Sequence, residues 1–81
     1  MSESIELYYY PECPYCQKVL RALDRLGAMD AVSLRDIHAD ADALQTLVAV
    51  GGKRQVPCLF IGGVPLYESD DIVSWLTTQF A

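Results

Sequence analysis

Ile5-Glu6-Leu7-Tyr8-Tyr9-Tyr10-Pro11-Glu12-Cys13-Pro14-Tyr15-Cys16 is the stretch that decides the fold. Ile5 to Tyr10 is β-branched, aromatic and aliphatic, and reads as a buried strand. Pro11 ends it, and Pro11-Glu12 forms the loop into the two cysteines. Gln17 to Leu26 then follows a helical pattern. Two thiols in Cys-x-x-Cys spacing at a strand-to-helix junction form a redox arrangement. On a first helical turn they lie close enough to close a disulfide. Cys13 also sits where orphan N–H groups and the positive helix end favour an anion. Pro14 falls just inside the helix, where a missing N–H costs nothing. Cys13 is therefore read as the nucleophile and Cys16 as the resolving thiol. A pair of zinc ligands is the competing assignment. It needs two further donors from Cys58, His38 and the carboxylates, and no second Cys-x-x-Cys exists.

Glu12 works against an anion at Cys13. A unit charge at roughly 6 Å in water opposes it by about 0.7 kcal/mol. The helix end supplies about 0.3–1 kcal/mol in the other direction. The two nearly cancel, so the balance rests on the N–H groups of the first turn.

Outward from the dithiol, a helix is expected over Pro14 to Leu26, with Val19, Leu20, Leu23 and Leu26 on the buried face. Lys18, Arg21 and Arg25 read as a solvated face, and Gly27 suits a left-handed position after the helix end. Ala31 to Ile37 alternates through Val32, Leu34 and Ile37 and predicts a second strand. His38 at its end reads as a solvated or locally bonded side chain. Asp40 is the expected cap of a second helix carrying Leu44, Leu47 and Val48, which Gly51-Gly52 ends. Cys58 to Ile61, the Gly62-Gly63 turn and Val64 to Tyr67 predict a hairpin. Pro65 places the returning strand at an edge. A last helix opens at Glu68-Ser69-Asp70-Asp71, with Ser69 as its expected cap and Ile72, Val73, Trp75, Leu76 and Phe80 packed. The order is β-α-β-α-β-β-α. The first half is a right-handed parallel βαβ unit and the second adds an antiparallel hairpin. An α/β fold results, with a four-stranded mixed sheet flanked by three helices.

The 81 residues are expected to form a single domain, 1–81. A hydrophobic share of 52% against 21% charged residues reads as globular rather than disordered. The net charge of −5 argues against nucleic acid and against an acidic membrane surface. No signal segment or membrane span is read, so a reducing, cytoplasmic setting and a monomer are expected. Three cysteines with one tight pair do not make a disulfide scaffold. Cys58 reads as a buried, inert core thiol.

Three pieces in this order carry a resemblance: Cys13-Pro14-Tyr15-Cys16, Val56-Pro57 opening a strand, and Ser69-Asp70-Asp71 opening a helix. Together they resemble the glutaredoxin family, of thioredoxin fold, over nearly the whole chain. Leu66-Tyr67-Glu68-Ser69 is also similar to the N-terminal domain of glutathione transferases, where a Glu-Ser or Gln-Ser pair holds the γ-glutamyl end of glutathione. The resemblance implies a dithiol, glutathione-dependent oxidoreductase that reduces glutathione mixed disulfides and, by extension, protein disulfides. Its co-substrate is glutathione, its partners are glutathionylated or disulfide-bonded proteins, and no metal is expected. Cys13 would carry glutathione as a mixed disulfide, with Tyr15 beside the tripeptide. Val56 would pair its backbone with the ligand as an added strand, and Pro57 would be cis. Glu68, Ser69 and Asp70 would hold the γ-glutamyl group at a helix N-terminus.

The chain departs from the family pattern at several points. Tyr10 stands where many glutaredoxins have lysine, Gln55 replaces threonine, and Tyr67-Glu68 replaces a pair of glycines. Lys53 and Arg54 are the candidate cations for the glycyl carboxylate, set against a solvated loop. Two other functions remain open: an iron–sulfur cluster carrier, against which Pro14-Tyr15 counts, and a redox partner domain fed by a dedicated reductase.

Overall fold

The computed structural model describes residues 4–81. Of the polar lead at Met1 to Ser4, the first three residues lie outside the described part. The Ser4 carbonyl accepts the Gly62 N–H at 2.7 Å. The elements are β1 (Ile5–Tyr9), α1 (Pro14–Arg25), β2 (Ser33–Asp36), α2 (Ala41–Gly51), β3 (Cys58–Ile61), β4 (Val64–Tyr67) and α3 (Ser69–Phe80). The strands lie in the order β2-β1-β3-β4. β1 runs parallel to β2 and antiparallel to β3, and β4 returns antiparallel on β3. This is the thioredoxin-like mixed sheet with three helices that the sequence predicts.

Alternation along the central strands explains why the helices pack on two faces. Leu7 and Leu59 point to one side, where Val19 and Leu23 of α1 and Ile72 and Leu76 of α3 complete a fully buried cluster. Tyr8, Cys58 and Phe60 point to the other, against Ala43 and Leu47 of α2. The Tyr8 and Phe60 rings meet with centroids 4.5 Å apart. Trp75 and Phe80 are half-buried against the first cluster.

Several boundaries differ from the sequence reading, each for a local reason. β1 stops at Tyr9, because the Tyr10 carbonyl turns to accept the Cys13 N–H at 3.2 Å. A short 3₁₀ turn, Met29–Ala31, takes the start of the expected second strand. Leu34 is exposed because β2 is an edge strand, and Val48 of α2 also faces solvent. Ser69 is not the cap of α3. Glu68 holds that position at φ 74°, and no side chain caps the helix. Asp40 caps α2 as expected, its carboxylate accepting the N–H groups of Asp42 at 3.0 Å and Ala43 at 3.3 Å. Gly62 and Gly63 both take positive φ, as the tight hairpin requires. Pro65 lies on the edge strand β4.

Candidate functional site

Cys13 is the N-cap of α1, in extended conformation at φ −82°, ψ 120°, with Pro14 on the first helical position. A cap side chain normally supplies an oxygen to the first-turn N–H groups. Here the Cys13 sulfur does so, accepting the Cys16 N–H at 3.3 Å. The positive end of α1 therefore converges on the sulfur that would carry negative charge. Cys13 keeps 6% of its surface exposed and Cys16 none. Burial pushes the Cys16 thiol up to about 12, helped by its hydrogen bond with Cys13. One thiol thus keeps a little exposure at the helix end, and the other waits protonated one turn inside. All three cysteines are free thiols.

An open cleft of about 440 Å³ is lined by Tyr15, Gln55, Val56, Pro57, Glu68, Ser69 and Asp70. One wall is the segment entering β3, where the Val56–Pro57 bond is cis. The facing wall is the first turn of α3. Tyr15, which stands between the two thiols and is 66% exposed, joins the cleft to α1. Ser69 is buried at the floor, while Glu68 and Asp70 are exposed at the rim. An uncapped helix N-terminus offers free N–H groups and positive potential to an anion. The two rim carboxylates offer the opposite charge to a cation. The cleft can therefore take a zwitterionic group such as the head of an α-amino acid.

The structure gathers six of the eight expected ligand contacts, Tyr15, Val56, Pro57, Glu68, Ser69 and Asp70, around this cleft. Lys53 and Arg54 are not among its lining residues. The Lys53 ammonium instead lies 4.5 Å from the centre of the Tyr67 ring, and Arg54 is exposed. Gln55, read from sequence only as a departure, lines the cleft and donates from Nε2 to Glu68 Oε1 at 3.4 Å. Lys18, read as part of a solvated face, forms an ion pair with Asp70. Its sequence signal was the short step along α1 from Cys16. Which face of α1 would meet α3 is not written in that step. On the other side of the dithiol, Tyr10 stacks on His38 with centroids 4.2 Å apart, and His38 Nδ1 lies 3.7 Å from Glu12. His38 is thus locally bonded, as expected. Cys58, fully buried after Pro57, is raised to about 11 by burial. Among the described residues no group of three or more His, Cys, Asp or Glu is placed to hold a metal ion. No helix there is long and apolar enough to cross a membrane.

The chain is similar to known proteins over most of its length. The glutaredoxin family model matches residues 5–66. A glutaredoxin of Ricinus communis is 40% identical over 63 residues, 76% of this chain and 62% of that protein. Oxidized glutaredoxin 2 from Chlamydomonas reinhardtii is 31% identical with a TM-score of 0.68, over 96% of this chain and 75% of that one. Glutathione transferase Omega 2C from Trametes versicolor is 27% identical with a TM-score of 0.79, over 96% of this chain and 38% of that one. The chain spans about six tenths of the length of the plant relatives it matches. With the dithiol on the helix end, the segment before β3 and the first turn of α3 all falling within or beside the matched region, the chain belongs to the glutaredoxin family.

Proposed function

We propose that the protein is a glutathione-dependent thiol–disulfide oxidoreductase that reduces glutathione mixed disulfides and protein disulfides. The observation that carries this reading is the position of Cys13. It caps α1 beside a cleft whose rim and floor suit the γ-glutamyl head of glutathione. The family to which the chain belongs supports it.

In the monothiol route, the Cys13 thiolate attacks the glutathionyl sulfur of a mixed disulfide. The S–S bond breaks and the protein thiolate departs. Cys13 then carries glutathione, whose main chain pairs with Val56 while Ser69 and Asp70 receive its γ-glutamyl carboxylate and ammonium. A second glutathione thiolate attacks the bound glutathionyl sulfur. Glutathione disulfide leaves, and the Cys13 thiolate is restored. In the dithiol route, Cys13 forms a mixed disulfide with the substrate protein. Cys16 then attacks the Cys13 sulfur, its proton passing to the departing protein thiolate. Burial that keeps Cys16 protonated makes it a poor competitor for the first attack, which assigns the entry step to Cys13.

The test is turnover of a glutathionylated peptide, with glutathione reductase and NADPH recycling the disulfide. Activity is expected to persist in Cys16→Ser and to vanish in Cys13→Ser. Absence of turnover in the wild type rejects the reading.

The charge pattern around the site favours a second reading, a redox partner domain reduced by a dedicated reductase. No lysine or arginine lines the cleft, Tyr10 and Glu12 flank the dithiol, and Lys18 is paired with the rim residue Asp70. Reduction of the Cys13–Cys16 disulfide by a thioredoxin-type reductase, without glutathione, would support it.

A further inference from the structure

A Cβ on Gly51, the last residue of α2, would run into the Tyr67 hydroxyl and displace it. That hydroxyl donates to the Lys53 carbonyl at 3.1 Å. The Lys53 ammonium lies over the same ring, 4.5 Å from its centre. Tyr67 also pairs across the sheet with Cys58, the first residue of β3. One side chain of β4 therefore touches the segment Gly52–Pro57 where it leaves α2, and the same residue is paired with the chain where that segment enters β3. The segment has no helix or strand of its own. Such a connection moves freely unless something ties it down. Its last three residues, Gln55, Val56 and Pro57, form one wall of the cleft. The residue after Tyr67 is Glu68, on the opposite wall, and Gln55 reaches across to it.

We propose that Tyr67 is a positioning residue for the ligand. It fixes the segment between α2 and β3 so that the Val56 main chain stands at the right depth to pair with an extended peptide-like ligand. The proposal rests on the glutathione reading above and deepens it. Main-chain pairing is directional, so a wall displaced by about 1 Å loses it. Gly51 is part of the same device. Its missing side chain is the space that the hydroxyl occupies when it bonds Lys53.

The test compares Tyr67→Phe, Gly51→Ala and the double variant with wild type. Two readouts are taken: steady-state turnover of a glutathionylated peptide, and amide hydrogen exchange over residues 53–56. Loss of one hydrogen bond in Tyr67→Phe is expected to raise KM about three- to tenfold. kcat should change less than about twofold, as expected when binding alone is lost. Exchange at 53–56 should accelerate while the strands keep wild-type rates. Gly51→Ala should raise KM at least as much, by forcing the hydroxyl off Lys53. The double variant should be no worse than Tyr67→Phe alone, since the colliding oxygen is gone. A wild-type KM in both single variants overturns the proposal. So does a double variant that shows the product of the two single losses, or exchange that quickens across the whole sheet. Failure of wild-type turnover rejects the glutathione reading instead. The exchange comparison needs no glutathione and still decides whether Tyr67 holds the segment.

Discussion

The Cys13 sulfur accepts the backbone N–H of Cys16 at 3.3 Å, so the thiol that caps the helix is bonded to the residue bearing the other thiol. The two sulfurs share one helical turn but not one environment. Cys13 retains a little exposure, and Cys16 has none.

Alkylation should separate them. With Cys16 raised to about 12, chiefly by burial, only roughly one part in 10⁵ of it is thiolate at pH 7. Iodoacetamide at pH 7 should label Cys13 first. In Cys13→Ser, Cys16 should stay unlabelled on the same timescale and begin to react only as the pH is carried far above neutral. Mass spectrometry of time points reads this directly. A Cys16 as fast as a free thiol at pH 7 would contradict the burial argument.

Cys58 predicts a pH dependence of stability in the reduced protein. Its thiol titrates near 11 in the folded chain, raised by burial, and near 8.5 when unfolded. Between those values the native state keeps a proton that the unfolded state has released. Stability is therefore intact below about pH 8.5 and falls as pH rises, by about 1.4 kcal/mol per unit. The total from this group is on the order of 3 kcal/mol. Cys16 and the tyrosines Tyr8 and Tyr67 are raised as well, Tyr67 in part through Cys58, so the comparison with Cys58→Ala reads Cys58 together with its effect on Tyr67. Urea midpoints of wild type and Cys58→Ala, taken at pH 8 and pH 10.5, should converge as pH rises. Parallel losses in the two proteins would show that Cys58 contributes nothing.

Glu68→Gly should trade binding for stability. Glu68 is the one non-glycine residue with positive φ among those described, at 74°. Holding a side chain there is estimated to cost about 1–3 kcal/mol. Glycine removes that strain and also removes the carboxylate that Gln55 touches. The variant should unfold at higher urea, by about 1 kcal/mol, while KM for the glutathionylated peptide rises several-fold. A variant less stable than wild type would mean that the Gln55 contact outweighs the strain.

Asp40→Ala tests the second helix. Asp40 caps α2 through two N–H groups and also faces Arg35 across 3.5 Å. Loss of such a cap costs about 1 kcal/mol. In a domain of this size that lowers Tm by about 4–8 °C. Turnover should be unaffected at 25 °C, because α2 reaches the cleft only through the segment that follows it.

The sequence yields the fold readily because its signals are local and agree with one another. Ile5 to Tyr9, the proline after the first cysteine, Asp40, the Gly62-Gly63 turn and Pro65 each specify a backbone state by short-range chemistry. The misread positions depend on distant neighbours. Leu34 and Val48 fit their apolar patterns, yet lie where the sheet edge and the outer side of α2 leave them uncovered. Ser69 has the chemistry of a cap, but Glu68 takes the position, and no local rule favours a glutamate at positive φ. The cleft residues could be named from the motifs that carry the family resemblance. Gln55, Lys18 and Tyr67 could not, because their roles arise from packing between α1 and α3 and between α2 and β4. Lys53 and Arg54 are suggested only by nearness in sequence to Val56. Neither lines the cleft, and Lys53 goes to the Tyr67 ring instead.

Pro65 has a consequence outside catalysis. An open sheet ends in two strands whose unpaired backbone groups can recruit a second molecule. Here both borders, β4 and β2, are only four residues long, one carrying a proline and the other the charged pair Arg35 and Asp36. Short borders of this kind give little purchase to templated growth from another chain.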